Sequence, residues 1–219
     1  MSKKIYINPG HSDKDPGAVG YETERVLNVK VSGYMNEYLL ENYDCETRVY
    51  SNDSLNAVCN DANKWGADLF VSNHFNAGKG DGYEALVYNQ KRVELGKIFE
   101  KHVKAIGQNS RGVKLRPDLA VLKRTNMPAV LNEGAFVDNK KDIQDWNDDA
   151  ELKKLGIAYA KAAAEFLKLE KKVVASSMYR VFDAAGKQVG AFESEANAFN
   201  VVKKQLASGG SARITLSKQ

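Results

Sequence analysis

Four side chains in this sequence have the chemistry of a hydrolytic metal site. His11, His74 and Glu133 each follow an apolar segment typical of a buried strand, and Glu24 opens a helical pattern. In an open α/β sheet, ligands bind in the crevice outside the carboxyl ends of the strands. Two imidazoles and one carboxylate meeting there suit a zinc ion with one open coordination position. A second carboxylate then remains to handle a proton.

Helical spacing selects Glu24 rather than Glu22 as the inward-facing carboxylate. Leu27 and Val31 belong to the apolar stripe of the first predicted helix, and Glu24 lies three and seven residues before them. Glu22 cannot share that face, so we expect it to be solvated. An inward carboxylate needs a partner, and the spacing leaves two possibilities open: a metal ion, or an ion pair or hydrogen bond to a loop amide.

Spacing alone does not make the two histidines a metal site. The three candidate ligands are 13 and 50 residues apart, unlike a local metal motif, so their shared position at the sheet edge carries the argument. A lone histidine in such a place is more often structural. Glu133 could likewise pair with Lys123 or Arg124. The third histidine, His102, lies in a charged helical segment and is predicted to be a surface residue.

Strand-like and helix-like segments alternate through the first 170 residues. Strands are predicted at 5–8, 45–50, 69–73, 83–88 and 129–132, and helices at 22–40, 53–65, 92–107 and 151–169. The segment 83–88 has the alternating character of a half-buried strand. Such alternation predicts βαβ units, and therefore an α/β fold with a mostly parallel, twisted sheet and helices on both faces.

A small second module follows. We predict a catalytic domain at 1–170, a linker at 171–177 and a C-terminal domain at 178–219. The last domain reads as a ββαβ unit, with strands at 179–182, 188–192 and 212–216 and a helix capped by Ser194 that runs to about residue 206. A unit of this size is marginal alone, so we expect it to pack on the catalytic domain or on a second copy of itself, giving a homo-oligomer.

The charge is concentrated in that module. Residues 1–170 carry a net charge of −1, and residues 171–219 carry +5. Such a basic module could meet nucleic acid, anionic lipid or an anionic wall polymer. It contains few aromatic residues and no nucleic-acid motif, so no nucleic-acid partner is expected.

Three further patterns concern the compartment. No apolar stretch reaches 18 residues, so no membrane span is expected. The first residues lack the apolar region of a signal peptide, which predicts synthesis in the cytoplasm without export by the chain itself. The two cysteines, Cys45 and Cys59, give no disulfide scaffold and are predicted to be reduced thiols.

The first 170 residues resemble a known family, the zinc-dependent N-acetylmuramoyl-L-alanine amidases of the amidase 3 type. The matching segments are 5–11, 15–18, 24–28, 62–63, 67–77, 82–84, 111–114 and 128–136. The resemblance implies that His11, Glu24 and His74 bind zinc and that Glu133 is the catalytic carboxylate. The chain departs from the usual family sequence at positions that are neither predicted ligands nor the predicted base: Asn8, Ser12, Arg25 and Asn132.

The C-terminal module resembles short wall-binding repeats found in amidase lysins that act on Gram-positive walls, and also half of a sporulation-related repeat. Together the resemblances imply hydrolysis of the amide between N-acetylmuramic acid and L-alanine in peptidoglycan, by a phage endolysin or a host lysis enzyme that acts on the wall after release. Three other functions remain open from the residues: a zinc peptidase of the stem peptide, a non-catalytic wall-binding protein, and a glycosidase that uses Glu24 and Glu133.

Overall fold

The computed structural model describes residues 2–172, 177–183, 185–192, 195–207 and 212–218. The chain forms two compact units, residues 1–172 and 173–219. In the described part of the chain, no helix combines the length and the apolar character needed to cross a membrane.

The first unit is built on a six-stranded sheet. Its strands are β1 (Lys3–Pro9), β2 (Cys45–Val49), β3 (Leu69–Asn76), β4 (Tyr83–Val87), β5 (Ser110–Leu115) and β6 (Ala129–Phe136). They lie in the order β2-β1-β3-β6-β4-β5. All neighbours run parallel except β4 and β6, so β4 and β5 point opposite to the other four strands. The carboxyl ends of β1, β3 and β6 therefore share one edge with the amino ends of β4 and β5.

Helices cover both faces of this sheet. They are α1 (Glu24–Asn42), α2 (Leu55–Trp65), α3 (Val93–Lys104), α4 (Ala120–Lys123), α5 (Lys140–Gln144) and α6 (Asp149–Leu167). On one face α1, α3 and α6 bury the larger apolar core, and on the other α2 and α4 bury a smaller one. The predicted α/β fold, with a mostly parallel sheet between two helical layers, is confirmed.

Local chemistry explains where the best-defined helices begin and end. The Ser54 hydroxyl accepts a hydrogen bond from the Ala57 amide at the start of α2, and Gly66 ends that helix in the left-handed conformation. At the start of α6 the Asp148 carboxylate accepts from the Glu151 amide. These caps shift both starts from the predicted positions, by two residues in each case.

The structure corrects the sequence prediction in three places. Strand β4 is buried at every position rather than alternating, because it lies between β6 and β5 with helices on both faces. Strand β5 and the helices α4 and α5 were not predicted, since β5 carries two charged residues and a glycine and the two helices are only 4 and 5 residues long. Strands β3 and β6 extend to Asn76 and Phe136, so His74 and Glu133 lie inside them rather than after them.

The second unit contains β7 (Ser177–Asp183), β8 (Gln188–Phe192), α7 (Glu195–Ala207) and β9 (Ala212–Lys218). Its strands form an antiparallel sheet in the order β8-β7-β9, which matches the predicted ββαβ unit. Val181 of β7 and Ala198 of α7 are fully buried within it. The predicted cap at Ser194 lies outside the described residues, as do residues 173–176 of the predicted linker.

Candidate metal centre

His11, Glu24 and His74 converge at the edge where β1 and β3 end. One possible ligand atom from each residue lies within 4.8 Å of the other two. Glu24 bridges the histidines: its Oε2 is 3.1 Å from His11 Nε2 and its Oε1 is 2.7 Å from His74 Nδ1. The two imidazole rings meet edge to face with centroids 5.0 Å apart. Three donors thus gather from segments that are distant in the sequence.

His11 is held from its far side by Asp15. Asp15 Oδ2 lies 2.8 Å from His11 Nδ1, which leaves His11 Nε2 facing Glu24. The hydrogen bond to Glu24 raises the pKa of His11 to about 9, against the effect of burial, and Asp15 adds to the increase. A carboxylate behind the outer nitrogen is the usual support of a metal-binding histidine, because it fixes the tautomer and the ring orientation. The sequence contained Asp15 in a matching segment but gave it no role.

Glu24 is the first residue of α1 and is 4% exposed, in agreement with the helical spacing. Its carboxylate also accepts hydrogen bonds from the Ala18 amide (2.8 Å) and the Phe75 amide (3.3 Å). Burial alone would raise the pKa of Glu24, but the hydrogen bonds from the two histidines outweigh it and the pKa lies well below its usual range. Glu22 instead accepts from Asn147 and lies apart from the cluster.

Glycines allow the imidazoles to pack this tightly. A Cβ added at Gly10 would lie 2.2 Å from His74 Cε1. At Gly17, which has a φ of +69°, a Cβ would lie 2.5 Å from His11 Cδ2 and 2.6 Å from Glu24 Oε2. Both positions therefore require glycine, because any larger side chain would overlap one of the candidate ligands.

Gly10→Ala should displace the His74 ring and weaken metal binding by about 100-fold, the scale of effect of a 1 Å misplacement at a functional site. Gly33→Ala, in α1, is the matched control, because an added Cβ there meets nothing within 4 Å. Alanine is favoured over glycine in a helix by about 1 kcal/mol, so the control should be slightly stabilised. Metal content and melting temperature measure the two effects. Equal metal content in both variants would contradict this steric account.

Glu133 lies beside His74, since the two residues are register partners in β6 and β3. Its Oε2 is shielded from solvent and has no hydrogen-bond partner among the described residues. Burial raises the pKa of Glu133 to about 8, and the negative charges of Glu24 and Glu84 contribute. Arg124, considered as a partner from the sequence, donates to Asn56 instead. A buried carboxylate oxygen left unpaired beside a possible metal site is available for proton transfer.

A buried polar chain fixes the strands at this edge. The Tyr83 hydroxyl donates to Asn132 (2.7 Å), the Asn132 amide to Asn73 (3.1 Å), and the Asn73 amide to the Ser32 hydroxyl of α1 (3.0 Å). Tyr83, Asn132 and Asn73 are each followed in the sequence by a residue whose side chain lies on the opposite face of the sheet, since successive side chains in a strand alternate. Those side chains are Glu84, Glu133 and His74. These buried hydrogen bonds therefore fix the strand register that places the three side chains next to one another.

A cleft of about 280 Å³ opens beside His11 and His74. It is lined by the buried residues Val58, Val121 and Leu131 and by the exposed polar residues Asn52 and Asp53. A second cleft, of about 770 Å³, runs past residues 81, 106–109 and 141–151 and contains none of the four candidate side chains. Of the four candidate side chains, His11 and His74 line the smaller cleft.

The remaining candidate residues lie elsewhere. His102 of α3 is half-buried and pairs with Glu165 of α6, with 2.8 Å between His102 Nε2 and Glu165 Oε2, so it supports helix packing rather than the site. Burial raises the thiol pKa of both Cys45 and Cys59. A raised pKa disfavours the reactive thiolate, so neither cysteine has the environment of a nucleophile.

Comparison with known proteins gives a consistent result. Residues 5–165 match the family model described as N-acetylmuramoyl-L-alanine amidase. The sporulation-specific N-acetylmuramoyl-L-alanine amidase of Bacillus subtilis is 31% identical over 216 residues, covering 94% of this chain and 82% of that protein. The endolysin of Bacillus phage SPP1 is 33% identical over 187 residues, covering 78% of this chain and 69% of that one.

Solved structures show the same likeness. The catalytic domain of CwlV, an N-acetylmuramoyl-L-alanine amidase from Bacillus (Paenibacillus) polymyxa, superimposes with a TM-score of 0.72 at 26% identity. The match covers 77% of this chain and 99% of that domain.

Proposed function

Because this chain belongs to the N-acetylmuramoyl-L-alanine amidase family and hydrolyses the muramoyl–alanine amide of peptidoglycan, we propose that it does so with one zinc ion held by His11, Glu24 and His74. The observation that carries this proposal is the meeting of three donor atoms within 4.8 Å of one another, beside the unpaired carboxylate of Glu133. The test is whether purified peptidoglycan gains new L-alanine amino termini only when metal is present.

The donor set fits zinc. Two imidazoles and one carboxylate are ligands that catalytic zinc sites use, with a fourth position left for water or substrate. The Asp15 carboxylate behind His11 supplies the outer support that such a ligand needs. Hydrogen bonds between Glu24 and the histidines also satisfy the three groups, and that arrangement keeps the donors close together.

Glu133 is the proposed general base and acid. Zinc, when bound, supplies Lewis acidity that polarises an amide carbonyl and acidifies water. Glu133 accepts a proton from the attacking water and passes it to the alanine nitrogen as the amide breaks. Glu133 must be ionised before it can accept this proton. A zinc ion bound to Glu24 would offset the negative charge of Glu24, and the pKa of Glu133 would then be raised less.

The other functions left open by the residues are less well supported. The family match favours the amidase over a zinc peptidase of the stem peptide. Glu24 is held by two imidazoles, which leaves it unsuited to act with Glu133 as the carboxylate pair of a glycosidase. A complete donor set beside Glu133 argues against a purely wall-binding protein.

The C-terminal module at 178–219 is proposed to bind an anionic polymer of a Gram-positive wall and to self-associate. Its support is the net charge of +5 on residues 171–219, of which +3 lies within 178–219, together with a size that is marginal for a lone domain. The exposed lysines include Lys187, Lys203 and Lys204.

Residues 178–219 expressed alone should sediment with purified walls at low salt and be released as salt rises, since the attraction of exposed charges is screened. The segment should also be larger than a monomer by sedimentation equilibrium. Residues 1–172 are the matched control and should stay in the supernatant at low salt. A monomeric C-terminal segment that remains soluble beside the walls would contradict both parts of this proposal.

A further inference from the structure

Two cationic side chains share one buried carboxylate at the same edge of the sheet as Glu133. Arg111 Nε and Lys114 Nζ both lie 2.5 Å from Glu84 Oε1. Glu84 is 5% exposed, whereas the side chains of Arg111 and Lys114 are each 42% exposed. The carboxylate therefore orients two basic side chains whose outer parts remain open to solvent.

These cations lie in line with the proposed catalytic residues. Glu84 of β4 is the register partner of Glu133 in β6, and β5, which carries Arg111 and Lys114, is the next strand. Strands are about 4.8 Å apart, so β5 lies about 10 Å from the strand of Glu133. One edge of the sheet thus presents metal donors, a base and then positive charge.

The positive charge exceeds what Glu84 neutralises. One carboxylate balances one of the two cations, and the neighbouring Arg116 is engaged by Asp118 at 2.7 Å. Among the described residues, no acceptor bonds the terminal nitrogens of Arg111, whose guanidinium lies 5.3 Å from the centre of the Phe136 ring. A planar, oriented guanidinium with free donors suits a carboxylate.

We propose that Arg111 and Lys114 bind a carboxylate of the peptide attached through the L-alanine, and this inference rests on the proposed function. An extended peptide advances about 3.3–3.6 Å per residue, so about 10 Å places the recognised carboxylate about three residues beyond the scissile amide. The sugar side of the bond offers hydroxyl and acetamido groups, which are neutral. The cation pair therefore selects the peptide and sets its direction across the site.

The full-length chain tests this with two soluble substrates. One is an N-acetylmuramoyl peptide with free carboxylates, and the other is the same molecule with those carboxylates amidated. The wild-type KM should be about 10- to 100-fold lower for the free acid, as expected for one or two charge-assisted hydrogen bonds. The kcat values should agree, because the contact is remote from the bond that breaks.

Lys114→Met should remove most of this difference by raising KM for the free acid alone, since Arg111 still satisfies Glu84. Lys114→Arg should restore the difference. Lys97→Met, at an exposed position on α3, is the control and should behave as the wild type. An equal loss for both substrates in Lys114→Met would mean that the cation serves folding only, and would overturn the proposal.

Two other results are decisive. Cleavage of both substrates by the wild type with the same KM would overturn this inference alone, whereas cleavage of neither would overturn the proposed function as well. Competitive inhibition of the wild type by polyphosphate, without discrimination between the substrates, would assign the cations to an anionic wall polymer instead.

Discussion

Glu133→Ala should yield a folded protein that binds zinc but hydrolyses peptidoglycan about 10²–10⁴-fold more slowly, the usual cost of losing a general acid–base group. The fold should survive because Glu133 Oε2 has no hydrogen-bond partner among the described residues. Burial also raises the pKa of Glu133, which means that the folded protein disfavours its ionised form. Removing such a group relieves a cost of burial. Initial rates of wall solubilisation, with metal content measured on the same samples, give the result.

Glu22→Ala is the matched control for that experiment. Glu22 is a half-buried carboxylate near the same edge, yet it contacts Asn147 rather than the histidines. Its removal should leave the rate within a factor of about two. Near-wild-type hydrolysis by Glu133→Ala would exclude the proposed role.

His74→Ala should lose zinc and, with it, activity. One of three protein ligands disappears, so the affinity should fall by more than the 10- to 100-fold that losing a mere supporting partner costs. Added zinc should raise the melting temperature of the wild type, because a ligand at 100 times its Kd stabilises the folded state by about 2.7 kcal/mol. The variant should show no such increase.

His102→Ala is the control for the metal ligand. This histidine is bonded to Glu165, so its loss should cost some stability and no zinc. Equal zinc content in the wild type and in His74→Ala would refute the ligand assignment.

The sequence predicted the α/β fold, and it predicted that four candidate side chains would meet at one edge of the sheet. Spacing along one helix face placed Glu24 inward, and the structure buries it against both histidines. Strand ends at a sheet edge predicted that the histidines and Glu133 would be near one another. That prediction held although His74 and Glu133 lie within their strands, because backbone pairing continues through polar residues where two parallel strands meet.

The sequence did not predict which residues surround the four candidate side chains. Strand β5 carries charges and a glycine, so its pattern resembles a loop, and the cation pair beside Glu84 depends on that strand. Asn132, a departure from the usual family sequence, is satisfied only by partners on two other strands. Such contacts join residues 49 and 59 positions apart, which no local pattern reveals.

Mass spectrometry of purified peptidoglycan digested by the full-length chain, with and without a chelator, tests the central claim most directly. We expect muramic acid with a free lactyl carboxylate and peptides with a new L-alanine amino terminus. Both products should vanish with the chelator and return when zinc is added. New termini within the stem peptide, new reducing sugar ends, or product formation that persists in the chelator would contradict a zinc-dependent amidase centred on His11, Glu24, His74 and Glu133.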